Sequence, residues 1–342
     1  MDLSIIVPAY NSAAYIRKCL LSCCNQDILM LDYEIIVVDD GSTDNTREIV
    51  CNLQKEYSNI KYIYQNNAAQ GAARNNGLRQ ALGEYVWFVD SDDWIKENCL
   101  NVIVTTLKEN DLNGVTVGHA TLYGQELKRW RTFNETKILS GKELLSKSIF
   151  LISPTYTIWK RSHLIDNKLF FKEKLFHEDS EICPRLYYVS DRIGFINDIL
   201  YFVYPNPVST TRGGNPKRAF DIVTVVRELS RFSVTLKEKN ILVSLNNYIS
   251  EAINASLYNT YKFDGEQERK LNKLWYENRD LFKHLFDSNV TKYRFEGLLF
   301  IMFPYRISVI YKSLQCLNKT PGGMKRKKVG KCKMGNNDWK NN

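Results

Sequence analysis

An α/β fold is predicted, with a mostly parallel sheet covered by helices on both faces and a helical extension at the C-terminus. Two observations predict the sheet. The strand-like segments of the first hundred residues are continuous apolar blocks rather than alternating ones, which is the pattern of strands buried on both faces. Each block is followed by a segment with helical spacing, which is the βαβ rhythm of a parallel sheet. A third observation locates a site. Polar residues gather just after the strands, at Tyr10-Asn11, Asp39-Asp40, Gln65-Asn66 and Asp90 to Asp93. Ligands of open α/β sheets sit at the carboxyl ends of the strands.

The elements follow in order. LSIIVPAY is a buried strand ended by Pro8, and AAYIRKCLLSCC places Tyr15, Cys19, Leu20 and Cys23 at helical spacing. YEIIVVDD is the second strand, followed by the turn Gly41-Ser42 and the helix NTREIVCNLQKEY. IKYIYQ is the third, then a helix through AARNNGLRQAL. YVWFV is the fourth, and Asp93 would cap a helix over WIKENCL. From about 110 to 215 the pattern is less regular, with strand-like VTVGHATLYG and RIGFINDILYFVY. Residues 219 to 290 read as helices. The expected division is 1–110, a regular α/β half; 111–218, a less regular second half; 219–318, a helical region; and 319–342, a basic disordered tail.

The 342 residues carry a formal net charge of +9. Residues 319–342 hold eight basic side chains and one acid, so +7 of that charge lies in the tail. A basic groove for nucleic acid is therefore not expected. The eight cysteines form no C-x-x-C pair and have no histidine cluster beside them, which argues against zinc and suits reduced thiols in a cytoplasmic protein. A strand begins within three residues of Met1, so no signal peptide is expected. No uncharged apolar run approaches the roughly 20 residues a membrane span needs. The segment FEGLLFIMFPYRISVIYKSLQCL, broken by Pro304, has two readings. It is either a core helix pair, or a surface that lies on the inner membrane with the Lys-Arg-rich run after it.

SIIVPAYN, EIIVVDDGSTDNT, QGAARNNGL and GEYVWFVDSDDW, with HEDSE later, resemble in that order and spacing the family 2 glycosyltransferases of the GT-A (Rossmann-like) fold, of the bacterial surface-polysaccharide type. The likeness spans roughly residues 3 to 212. It implies an inverting, metal-dependent transfer of a sugar from a nucleotide donor, of which a UDP-sugar is the expected one. The acceptor would be a hydroxyl of a glycan or lipid-linked glycan, and the enzyme cytoplasmic or peripheral on the cytoplasmic membrane face.

In FVDSDD, acids are the hard oxygen ligands that Mn²⁺ or Mg²⁺ takes beside a diphosphate. Two residues apart on an extended strand end, Asp90 and Asp92 would point to one side. The resemblance makes Asp92 the direct ligand and Asp90 a ligand or ribose contact. It assigns the nucleoside to Pro8, Ala9, Tyr10 and Asp40, with Asp39 nearby. A carboxylate can accept the imide N–H of uracil, and an aromatic ring can lie against a base. Gly71 permits close backbone approach, and Arg74 would pair with phosphate or with the acids.

Inversion needs one base for the acceptor hydroxyl. The resemblance gives that role to Asp179, with Glu178 orienting the acceptor or assisting. The plain alternative is an exposed acidic helix start. His119, His163 and His284 are isolated in sequence and supply no obvious third metal ligand. A sugar nucleotidylyltransferase is the enzymatic rival, but VPAYNSAAY lacks the glycine and lysine its triphosphate loop would need. An inactive nucleotide-sugar-binding scaffold is the rival from another class.

Overall fold

The computed structural model describes residues 1–123, 126–130, 137–150, 152–206 and 215–317. The first seven elements alternate as expected: β1 (Leu3–Ala9), α1 (Ile16–Cys24), β2 (Tyr33–Asp39), α2 (Thr46–Glu56), β3 (Ile60–Tyr64), α3 (Ala69–Gln80) and β4 (Tyr85–Phe88). β1 lies between β2 and β4, and β3 extends the sheet beyond β2, all in parallel. Every residue of β1 and β2 is buried, which explains their unbroken apolar runs. Leu3, Ile5 and Val7 pack toward α1, while Ile6 packs with Ala73 and Leu78 of α3 on the other face. Pro8 is tolerated in a central strand because the pairing with β4 ends at Ile6, two residues earlier.

The sheet then changes character. β5 (Trp94–Ile95), α4 (Leu100–Glu109), β6 (Gly114–Tyr123), β7 (Glu126–Trp130), α5 (Gly141–Ser146), β8 (Thr157–Lys160), α6 (Arg161–Asp166), α7 (Glu178–Tyr188) and β9 (Ile193–Val203) follow. The strand order is β3-β2-β1-β4-β8-β6-β9-β5, with β7 pairing β6. β8 is antiparallel to both β4 and β6, so the parallel run stops at β4; β6 and β9 are parallel to each other. The α/β class stands, with a parallel first half and a mixed second half. The helix expected over WIKENCL does not form. Trp94-Ile95 instead pairs antiparallel with Tyr201-Phe202 of β9, and the helix begins at Leu100.

The C-terminal helices are α8 (Lys217–Ser233), α9 (Lys239–Tyr258), α10 (Gly265–Glu277), α11 (Lys283–Phe286), α12 (Thr291–Met302) and α13 (Ile307–Leu317). They surround their own apolar cluster, including Ile222, Val226, Ile249, Trp275, Phe282 and Phe300. Among the described residues no helix is long and apolar enough to cross a membrane. The basic tail, 319–342, lies outside the described residues.

Candidate active site

The ends of β1, β2, β3 and β4 converge, and the acids there differ sharply in what holds them. Asp39 is fully engaged: its Oδ1 accepts from the Ser42 amide at 2.8 Å and its Oδ2 from the Tyr62 hydroxyl at 2.6 Å. It shapes the turn after β2. Asp40 uses only Oδ1, which accepts from Gln65 Nε2 at 2.7 Å and the Ala68 amide at 2.8 Å. Its Oδ2 has no hydrogen-bond partner among the described residues. Pro8 and Ala9 are buried in β1, whereas the Tyr10 ring at the strand end is 53% exposed.

Residues 90 to 93 do not continue β4. The Asp93 amide donates to the Asp90 carbonyl at 3.0 Å, closing a turn. The alternation that would aim Asp90 and Asp92 to one side therefore does not apply, and the acids take separate partners. Asp90 Oδ1 accepts from Arg74 and from Gln70 Nε2, each at 2.8 Å. Asp93 accepts from the Tyr201 hydroxyl at 2.7 Å and the Tyr204 amide at 2.8 Å. It ties the turn to β9 rather than starting a helix. Asp92 accepts from Asn206 Nδ2 at 3.1 Å. Burial and then the neighbouring Asp90 push the Asp92 carboxyl above the ordinary range.

Arg74 is the hinge of the arrangement. It is 2% exposed, and its two terminal nitrogens reach Asp90 at 2.8 Å and Glu178 Oε1 at 2.6 Å. The motif QGAARNNG thus docks the two halves of the domain on each other. Asn75 exchanges hydrogen bonds with the Phe171 backbone, both at 2.8 Å. A Cβ at Gly71 would lie 2.7 Å from the Lys172 carbonyl oxygen. The close approach that Gly71 permits is therefore by the protein's own chain.

α7 brings the second acid cluster to the same place. His177 precedes it with φ +64, and its Nε2 is buried without a hydrogen-bond partner among the described residues. Burial, with Arg218 beside it, lowers the His177 pKa to about 4. The acidic helix start is not a solvated one: Glu178 is buried on Arg74, and Glu181 is buried and held in a fork by Arg185, both bonds at 2.8 Å. Asp179 is left with Ser180, whose amide donates to Oδ1 at 2.6 Å. Burial and then Glu178 raise its pKa to about 7, against the opposing pull of Ser180 and Arg74.

Sequence reasoning missed three residues that complete the surroundings. The Tyr201 hydroxyl accepts from the Asp90 amide at 3.1 Å while donating to Asp93. Asn206 holds Asp92. Burial, with Asp93, Asp90 and Asp179 facing it, raises the pKa of the Tyr156 hydroxyl, so this residue stands within the field of both acid clusters. No motif flags them, because each reaches the site from an element distant in sequence. The histidines stay apart. His163 pairs with Ser190, His284 lies between Asn246 and Ser230, and His119 stacks on Tyr156 at 3.7 Å. Among the described residues no three metal-ligating side chains gather.

Residues 4–167 match the family model described as glycosyl transferase family 2. Glycosyltransferase GlyG of Streptococcus pneumoniae serotype 4 is 30% identical over 216 residues, which cover 58% of this chain and 69% of GlyG. The chain belongs to glycosyltransferase family 2. Two further relatives are similar over comparable lengths. The poly(ribitol-phosphate) beta-N-acetylglucosaminyltransferase TarS of Staphylococcus aureus is 33% identical over 204 residues, 59% of this chain and 35% of TarS. The GalNAc(5)-diNAcBac-PP-undecaprenol beta-1,3-glucosyltransferase of Campylobacter jejuni is 36% identical over 196 residues, 54% of this chain and 59% of that enzyme. The matched part thus spans from about a third to two thirds of these relatives. In structure, residues 1–349 of S. aureus TarS with UDP-GlcNAc superpose with a TM-score of 0.75 at 24% identity, covering 92% of each chain. The likeness of fold to this part of TarS therefore extends beyond residues 4–167.

Proposed function

We propose that this family 2 chain transfers a sugar, with inversion, from a UDP-sugar to a hydroxyl of a glycan or lipid-linked glycan in cell-surface polymer synthesis. The observation that carries the reading is the division of labour around Arg74. One cation pairs with one acid from each cluster, Asp90 and Glu178, while among the described residues Asp92 and Asp179 form no salt bridge beside the same strand ends. TarS, solved with UDP-GlcNAc, supports the donor class, and the polymer and lipid-linked acceptors named for the relatives support the acceptor class.

The residues have distinct tasks. The open Oδ2 of Asp40 accepts the imide N–H of uracil, and the exposed Tyr10 ring lies along the base. Asp39 sets the turn that presents Asp40. A buried carboxyl whose own neighbour repels it is a fitting oxygen ligand for a hard cation, so Asp92, with Asp90 beside it, would hold Mn²⁺ or Mg²⁺. When bound, the ion supplies charge neutralisation for the departing diphosphate. Asp179, poised near neutrality, takes the proton from the acceptor hydroxyl. Glu178 holds that base in register through Arg74.

A thermal-shift series with UDP and UDP-sugars, with and without Mn²⁺, followed by assay of UDP release, tests the reading. UDP with Mn²⁺ should raise the melting temperature, since a ligand of the native state stabilises it. Release of UDP from at least one donor should require the metal. Binding without any release, alone or with glycan acceptors, would sink the transferase reading in favour of a scaffold.

A further inference from the structure

We propose that the outer face of α12, the bend after it and the first turn of α13 form a docking surface for an anionic lipid bilayer. The two readings of this segment turn out to occupy opposite sides of the same helices. On the inner side, Phe300, Ile307 and Tyr311 are buried in the C-terminal core, and Gly297 lies against Leu285 and Phe286. On the outer side, Phe295, Leu298, Ile301 and Met302 are each half exposed or more. Residues 295, 298 and 302 follow three- and four-residue steps, so they share one face. Phe303 and Tyr305 in the bend, 49% and 61% exposed, and Val309 at 51% continue the apolar surface.

An ordinary surface helix turns polar residues outward. α10, in the same bundle, does so with exposed Glu266, Arg269, Lys270 and Lys273. α12 instead buries Glu296 with Gly297 and Phe300 on its inner side and turns Phe295, Leu298, Ile301 and Met302 outward, and water does not account for that outer row. Soluble monomers rarely expose contiguous apolar patches larger than about a few hundred Å² without a partner.

Charge selects the occupant. Lys292, Arg294 and Arg306 are exposed at the edges of this face. The chain that follows carries seven Lys or Arg and no acid between 319 and 333. A second copy would set Lys292, Arg294 and Arg306 against like charges, whereas anionic headgroups would neutralise them. Apolar side chains entering the headgroup boundary and a polybasic segment beside them are the two signals that together anchor a peripheral protein. With 12 and 11 residues, α12 and α13 are each too short to cross a bilayer, so the surface lies along it. This placement does not depend on the transfer reaction.

Flotation of the full chain with phosphatidylcholine vesicles, with and without phosphatidylglycerol, tests it, no donor or acceptor being present. Binding to the anionic vesicles should exceed binding to neutral ones by at least tenfold and weaken with salt. The triple variant L298Q/I301Q/M302Q should lose tenfold or more, with circular dichroism and melting temperature unchanged. Leu298→Glu repeats the test with a single exposed substitution. The variant K325Q/R326Q/K327Q/K328Q should weaken binding and flatten its salt dependence. The proposal is overturned if wild type ignores anionic vesicles, or if the apolar variants bind as wild type does. It is also overturned if the face proves to join two copies, shown by a dimer in sedimentation that the triple variant dissolves while vesicle binding is absent.

Discussion

The turn after β4 and the start of α7 are two clusters of acids built to the same plan from unrelated local structures. Asp90 and Glu178 each give a carboxylate to one buried guanidinium, Arg74. Asp93 and Glu181 are absorbed by structural partners, Tyr201 with the Tyr204 amide in one case and Arg185 in the other. Asp92 and Asp179 remain, each raised by burial and by its own neighbour. The difference lies in how far they are left alone. Asp92 keeps a neutral amide partner from Asn206, while Asp179 is met by the Ser180 amide next to it in sequence. A carboxylate's task follows from its partners more than from the motif that contains it.

The comparison breaks most directly at Asp179. Asp179→Asn keeps size and removes the proton acceptor, so transfer should fall by on the order of 10²–10⁴-fold. UDP-sugar binding by calorimetry should stay within about twofold. Linkage gives a second readout. The carboxyl titrates near 7 when folded, against an ordinary 3.8, so between those values only the folded state keeps the proton. That stabilisation is present at low pH and is lost as pH rises through 7. Nucleotide-free wild type should therefore lose stability between pH 5 and 8 more steeply than the Asn variant. Normal turnover in the variant would remove Asp179 from the base role.

Arg74 tests whether the two clusters are one unit. Arg74→Met keeps apolar bulk against Phe171 but strands two carboxylates, one of them buried. Breaking a buried pair by deleting one partner costs about 3–5 kcal/mol. The measure is urea unfolding at pH 7.5. A loss under about 1 kcal/mol would mean that the clusters stand independently.

Much of this was legible in sequence where the determinants are local. Continuous apolar runs revealed β1 to β4, and each expected acid does lie at a strand end or at the start of α7. What sequence could not show was partnership. The spacing of Asp90 and Asp92 suggested a common side only while the strand was assumed to continue, and the hydrogen bond from Asp93 to Asp90 bends it instead. β8 is four residues long and is defined by pairing with β4 and β6, which lie far away along the chain. Tyr156, Tyr201 and Asn206 reach the site by tertiary placement, so no local pattern marks them. Arg74 lies between: its motif was visible, and its pairing with one acid of each cluster was not.

The finest discrimination comes from Glu178. The groups around Asp179 that set its charge are Glu178 on the same helix, Arg74 from α3 and Arg218 from α8. Glu178→Gln removes the one that raises the Asp179 pKa and leaves Arg74 paired with Asp90. Wild-type kcat/KM should fall as pH drops through about 7, because the base then holds its proton. In the Gln variant that acid limb should move to lower pH, so its activity relative to wild type should rise as the medium becomes more acidic. Loss of the neighbour's orienting hold would lower the plateau at high pH without moving the limb, so the two effects separate in one profile. An unmoved limb with a normal plateau would show that Glu178 neither tunes nor positions the base, and the likeness between the two acid clusters would then be one of geometry alone.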